Sequence, residues 1–118
     1  VSAGVDAALA RFANLARRDD EALEQWAERE AERIVRVGAG SAAIDRRSLL
    51  ELPSAVASRI VRQSAGRVGL VMESSQVEQA LTGARRRGAR VSLAGGEAVV
   101  TDADLLIRRR MKKESNKA

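Results

Sequence analysis

Apolar residues recur at steps of three and four along the first third of the chain: Val5, Leu9, Phe12, Ala16, Leu23, Trp26, Ile34 and Val37, with charged residues between them. That spacing keeps one face apolar at helical pitch, so it predicts a long amphipathic helix over residues 1–37. Ala, Arg, Glu and Leu dominate the segment, no Pro interrupts it, and Gly38-Ala39-Gly40 supplies a C-terminal stop. Arg17-Arg18-Asp19-Asp20 breaks the stripe, which leaves two helices in line as the alternative, with Asp19 or Asp20 as a second N-cap. One helix is the preferred reading. At about 1.5 Å per residue it reaches on the order of 50 Å, longer than a core of this size covers, so part of it is expected to pack on something else.

Residues 38–111 predict a compact part. After a Gly/Ala/Ser loop, Ile44-Asp45 reads as a strand end and cap for a short helix from Arg46 to Leu50, which Leu52-Pro53 closes. A second helix runs from about Ser54 to Ala65 with Val56 and Ile60 inward, and Arg59 and Arg62 share another face. A third begins at Ser74 or Ser75, with Glu78 following and Val77, Ala80, Leu81 and Ala84 as its buried stripe. Past Gly83 and Gly88, which bracket Arg85-Arg86-Arg87, the period changes to alternation. Arg90 to Leu93, Glu97 to Thr101 and Leu105 to Arg109 read as an antiparallel meander of two or three strands, with Gly95-Gly96 as its tight turn. The expected class is therefore α+β: a long N-terminal helix, a small helical cluster and a C-terminal hairpin or meander. Residues 112–118 read as a frayed basic tail.

At 118 residues the chain fits one domain. Its hydrophobic share of 45% comes from Ala, Val, Leu and Ile, with one Phe, one Trp and no Tyr, so the core must be aliphatic. The net charge is +5 and the basic residues are overwhelmingly Arg, whose planar fork pairs bidentately with phosphate. Polyanions are the natural partners. No Cys is present, which removes disulfides, thiolate zinc sites and cysteine nucleophiles. No His is present either, which removes the usual general base and imidazole metal sites. The sequence lacks an apolar run of about 18 residues, so a cytoplasmic protein without membrane contact is expected. Val rather than Met at the first position is read as the mark of a processed or excised piece.

Candidate chemistry is thin. Gly38-Ala39-Gly40-Ser41 lacks the Lys-Ser/Thr ending of a phosphate-cradling loop. Carboxylates cluster at Asp19-Asp20-Glu21, at Glu28, Glu30 and Glu32, and at Asp102 and Asp104, but they alternate with Arg or lie in a turn. Glu28 and Glu32, interleaved with Arg29, Arg33 and Arg36, have the spacing of surface ion pairs, so no catalytic or metal site is expected. Basic groups are the richer signal: Arg85, Arg86 and Arg87 with Arg90; Arg59 and Arg62 with Arg67; Arg46 and Arg47; and Arg108-Arg109-Arg110 with Lys112-Lys113. If several share a side, they bind phosphates with strong salt dependence. The scarcity of aromatics points to shape and backbone contacts rather than base stacking on a sheet.

The run from Leu49 to Arg62, LLELPSAVASRIVR, resembles the leucine, leucine-proline, arginine segment in the substrate-binding domain of the bacterial tRNA(Ile)-lysidine synthetases, also known as MesJ cell-cycle proteins. The flanks agree in order. Ala13 to Glu24 is similar to that family's helix leaving the catalytic domain, and Val91 to Gly96 followed by Leu105-Leu106-Ile107 is similar to its terminal hairpin. The family's Ser-Gly-Gly-x-Asp-Ser loop is absent, so the resemblance implies a fragment without the N-terminal ATP-pyrophosphatase domain. It also implies a parent ligase that uses ATP and Mg to join lysine to the wobble cytidine of an isoleucine tRNA, while this piece binds the tRNA and holds no cofactor. The candidate tRNA-binding residues are Arg59 and Arg62, then Arg85, Arg86, Arg87 and Arg90, then Arg46 and Arg47. The expected partners are tRNA and the missing catalytic domain. The competing reading is a structural, dimerisation or interdomain docking module without RNA contact, in which the long helix meets a second copy or another domain.

Overall fold

The computed structural model describes residues 2–110. Four helices and five strands follow one another as α1 (Ser2–Ile34), β1 (Val35–Gly38), β2 (Ser41–Asp45), α2 (Arg46–Glu51), α3 (Ser54–Arg67), α4 (Ser74–Gly83), β3 (Arg90–Leu93), β4 (Gly96–Val100) and β5 (Asp104–Arg109). The strands form one sheet in the order β1-β2-β5-β4-β3, antiparallel throughout. α3 lies over β1, β2 and β5, and α4 over β3 and β4. The core sits between the two layers and is aliphatic as expected: Ile44, Leu105 and Ile107 from the sheet meet Val56, Ile60 and Val61 of α3 and Val77 of α4, all buried.

The α+β class and the C-terminal meander match the sequence reading, and α1 runs unbroken through Arg17-Arg18-Asp19-Asp20. Several boundaries differ, and two of them reshape the sheet. The first helix stops at Ile34 rather than Val37, and Val35–Gly38 pairs with Ser41–Asp45 as a hairpin. Ile34, Val35 and Val37 are β-branched, lose rotamer freedom in a helix and suit a strand. The three-residue step from Ile34 to Val37 satisfied helical spacing, while Val35 and Val37 equally satisfied alternation. Ala39-Gly40 is thus a hairpin turn, and Gly38 ends a strand rather than stopping a helix. The second difference is in the meander: the turn is Ala94-Gly95, and Gly96 is already in β4, opposite Leu93. Gly40 and Gly95 have φ of +75° and +84°, the left-handed second corner that a type II turn asks of glycine. The carbonyl of Gly40 accepts from the Arg109 N–H at 2.8 Å and that of Gly95 from the Arg110 N–H at 2.7 Å, so the end of β5 ties both turns.

Local signals explain the helix starts. Asp45 caps α2 by accepting from the Ser48 N–H at 3.0 Å. Leu52, before Pro53, is extended as proline requires, and Pro53 opens α3. At α4 the cap is Glu73 rather than Ser74 or Ser75, and the Glu73 N–H donates to Gln76 Oε1 at 2.8 Å.

α1 packs on α3 through its C-terminal part, where Ala27, Ala31 and Ile34 are buried. Its apolar stripe continues toward the N-terminus without cover: Leu9, Phe12 and Leu15 are 63%, 74% and 59% exposed. The overhang stretches the molecule to 69 Å against 34 and 23 Å across. Among the described residues no helix is long and apolar enough to cross a membrane. The tail assigned to residues 112–118, with Lys112 and Lys113, lies outside the described residues.

Candidate nucleic-acid interface

Arg46 begins α2 with its side chain turned inward. Its Nε donates to the carbonyl of Ala84, at the end of α4, and its Nη1 lies 3.4 and 3.3 Å from the carbonyls of Thr101 and Asp102. The Arg46 N–H also donates to Ala103 at 2.9 Å. One arginine thus gathers α2, the α4 terminus and the β4–β5 turn. This brings together residues distant in sequence: Arg47 and Leu50 on α2, Arg85 and Arg87 after α4, and Asp102 in the turn. Arg46, Arg47, Leu50, Glu51 and Asp102 line a hollow of about 370 Å³. A smaller one of about 170 Å³, floored by Leu49, Leu52 and Leu81, has Arg85 at its edge and shares Leu50. Arg87 Nη1 pairs with Asp102 Oδ1 at 2.9 Å, both well exposed, a geometry worth little in water. Arg46, Arg47 and Arg85 therefore line the hollows that share Leu50, with Glu51 and Asp102 as their carboxylates, and Arg87 joins them through Asp102. Around the α4 terminus, Arg86 and Arg90 line a further hollow with Glu78 and Thr82.

The remaining candidates go elsewhere. Arg59, the leading sequence candidate, faces α1: its guanidinium pairs with Asp20, its Nε lies 3.3 Å from Glu24, and its Nη1 donates to Ala55 at 2.8 Å. Gln63 extends the polar seam by donating to Glu24 at 2.9 Å. With its side chain only 19% exposed, Arg59 acts as a strut between the helices. Its carboxylates are much more exposed, which discounts the pairing, so Arg59→Ala is expected to cost about 1–2 kcal/mol. Urea unfolding measures the loss, and faster amide exchange confined to α1 identifies its origin. Arg62 stands one turn on, exposed and without an ion pair among the described residues.

Arg90 projects from the open face of the sheet. There Glu97 accepts from Arg90 at 2.9 Å and lies 2.7 Å from Arg108, while Arg36 pairs with Asp104 at 2.9 Å. Arg36, Arg90 and Arg108 thus each meet a carboxylate, but Arg108, Arg109 and Arg110 line a hollow at the end of β5 with Glu97 as its one carboxylate, so positive charge gathers there as well as around Leu50 and the α4 terminus. The expected pairing along the first helix also changes. Glu30 pairs with Arg33 at 2.6 Å, whereas Arg36 reaches across the sheet because the helix has ended.

A hydrogen bond from Arg108, followed by the charges of Arg108 and Arg90, holds the Glu97 carboxyl below the usual carboxylate range. The Ser48 hydroxyl and then its N–H do the same for Asp45. Both groups titrate near about 4 when unfolded, so their stabilisation is complete above that pH and is lost as pH falls through their lower folded values. The urea midpoint is expected to hold steady from about pH 8 to pH 5 and to drop below about pH 4, with a smaller drop in Glu97→Gln. A decline already evident at about pH 6 contradicts this assignment.

Leu50 escaped the sequence reading. Neighbours on a helix point about 100° apart, and in the Leu49-Leu50 pair Leu49 is buried while Leu50 is 40% exposed. Among the described residues no three Asp or Glu side chains converge to hold a metal ion.

The chain is similar to tRNA(Ile)-lysidine synthase of Streptomyces coelicolor, with 39% identity over 98 residues. The match takes in 78% of this chain and 27% of that protein. The chain is therefore similar to a part of that synthase and spans about a quarter of its length. No protein-family model matches it, and no solved structure matches it.

Proposed function

We propose that this chain is the accessory RNA-binding part of a tRNA(Ile)-lysidine synthase, gripping an isoleucine tRNA in the cytoplasm while a separate catalytic domain joins lysine to its wobble cytidine. The observation that carries the reading is the similarity over 98 residues to a tRNA(Ile)-lysidine synthase. The arginines around Leu50 and the α4 terminus supply a physical basis: their planar forks fit phosphate oxygens, and Arg47, Arg85 and Arg86 have no ion pair among the described residues. ATP and magnesium belong to the catalytic part in this reading, because the Ser-Gly-Gly-x-Asp-Ser loop that the resemblance assigns to ATP is not in this sequence. No glycine-rich loop with a terminal Lys-Ser/Thr is present, and no carboxylate cluster converges among the described residues. Holding a large substrate in register contributes several kcal/mol to a reaction whose chemistry happens elsewhere.

Fluorescence anisotropy with an isoleucine tRNA transcript, repeated across salt concentrations, tests the proposal. About four phosphate contacts give a slope of roughly −3 in log affinity against log salt. No binding at low salt removes the RNA-gripping role.

A second reading, a docking or dimerisation module, is favoured by one observation: the uncovered stripe of Leu9, Phe12 and Leu15. It expects a mass that rises with concentration in sedimentation equilibrium, abolished by Phe12→Glu. A single 12.7 kDa species at every concentration excludes self-association.

A further inference from the structure

The two hollows that meet at Leu50 differ from a plain phosphate-binding surface, because their shared wall is apolar. We propose that they form a slot for one unpaired nucleotide of an RNA single strand, an inference that rests on the RNA-binding reading above and specifies what part of an RNA it takes. Leu50 stands 40% exposed between Arg47 and Arg85, with Leu49, Leu52 and Leu81 lining the floor on the Arg85 side. Arg46 is spent on backbone carbonyls, but Arg47 and Arg85 make no ion pair among the described residues. Glu51 is exposed beside them and has no hydrogen bond among the described residues.

Three chemistries thus stand side by side, and they are those of a nucleotide. The guanidinium forks donate to the phosphates on either side, the leucines cover a base face, and the Glu51 carboxylate accepts from an exocyclic amino group. A duplex uses only the first. Its base faces are stacked away, and its ribose-phosphate surface gains nothing from an exposed leucine. An acidic peptide also fits poorly, since Glu51 and Asp102 repel its carboxylates, whereas they suit amino-bearing bases. The slot reads no base by aromatic stacking; it selects an unpaired strand because only there is an apolar base face free.

The test uses the 118-residue chain, a short fluorescein-labelled single-stranded RNA of mixed sequence, and the same strand annealed to its complement, compared by anisotropy at fixed salt. The single strand is expected to bind more tightly. Leu50→Ser is expected to weaken that binding about fivefold, as loss of a partly buried leucine implies, and to leave duplex binding unchanged. Arg85→Gln should weaken both. Oligo(C) and oligo(A) should bind better than oligo(U), and Glu51→Gln should narrow that preference. Leu50 is exposed, so its variant is expected to melt with the parent, which circular dichroism checks. Equal affinity for strand and duplex, a Leu50→Ser affinity within about twofold of the parent, or polyglutamate binding as tightly as the single strand each overturns the slot. Failure of both RNAs to bind overturns the RNA-binding reading with it, whereas salt-dependent binding that ignores Leu50 leaves that reading standing and removes only the slot.

Discussion

Gly96→Ala is expected to destabilise the fold by about 3 kcal/mol or more, at or beyond the upper end of ordinary overpacking. Gly96 is the first residue of β4, buried between Leu93 of β3 and Arg109 of β5. A Cβ there would come within 2.3 Å of the Arg108 carbonyl oxygen and 2.8 Å of Leu70 Cδ1. The leucine can swing aside, but the carbonyl belongs to the neighbouring strand, so relief requires β4 and β5 to separate. Gly66→Ala is the matching control. Gly66 lies within α3, where an added methyl group would meet no atom within 4 Å and the backbone angle is ordinary, so alanine there is expected to stabilise by about 0.5–1 kcal/mol. Urea unfolding of the two variants beside the parent measures both shifts. A Gly96→Ala protein as stable as the parent contradicts the close approach of β5.

The triple variant Arg47→Glu, Arg85→Glu, Arg86→Glu is expected to lower tRNA affinity by at least about a hundredfold at low salt. Each change removes a charge-assisted contact of about 1.5–3 kcal/mol and sets a carboxylate against phosphate. It should also reduce the salt slope by roughly 2 to 3, since each lost phosphate contact removes about 0.7–0.9. All three side chains are exposed, so the fold should persist. The informative contrast is a reversal at Arg36 and Arg108, which pair with Asp104 and Glu97 on the sheet face: those changes should affect stability more than binding. If the sheet-face pair costs more affinity than the triple, the tRNA lies across the open sheet and the interface has been assigned to the wrong side.

The same comparison separates two roles that arginine plays here and that composition alone merges. Arg46 and Arg59 each have several protein oxygens within reach and hold elements together; Arg47, Arg62, Arg85 and Arg86 project without ion pairs among the described residues. Their sequence contexts are nearly alike: Arg46 and Arg47 are adjacent, and Arg59 and Arg62 lie one turn apart on the same helix.

Sequence by itself determined the α+β class, the unbroken first helix, the aliphatic core, the Asp45 cap and the turn at Leu52-Pro53. Each follows from interactions within a few residues: a period of 3.6 or 2, a side chain reaching its own backbone, or the steric demand of proline. Tertiary structure decided the rest. The hairpin at Val35–Asp45 exists because β5 offers β2 an edge, and a pattern satisfying both periods cannot reveal that partner. Arg59 is a strut because Asp20 lies beside it, a contact spanning 39 residues. The arginines near Leu50 meet only because Arg46 joins α2 to the end of α4 and the β4–β5 turn. Pairing of charges across such distances depends on how the layers stack, and no local pattern in the chain encodes it.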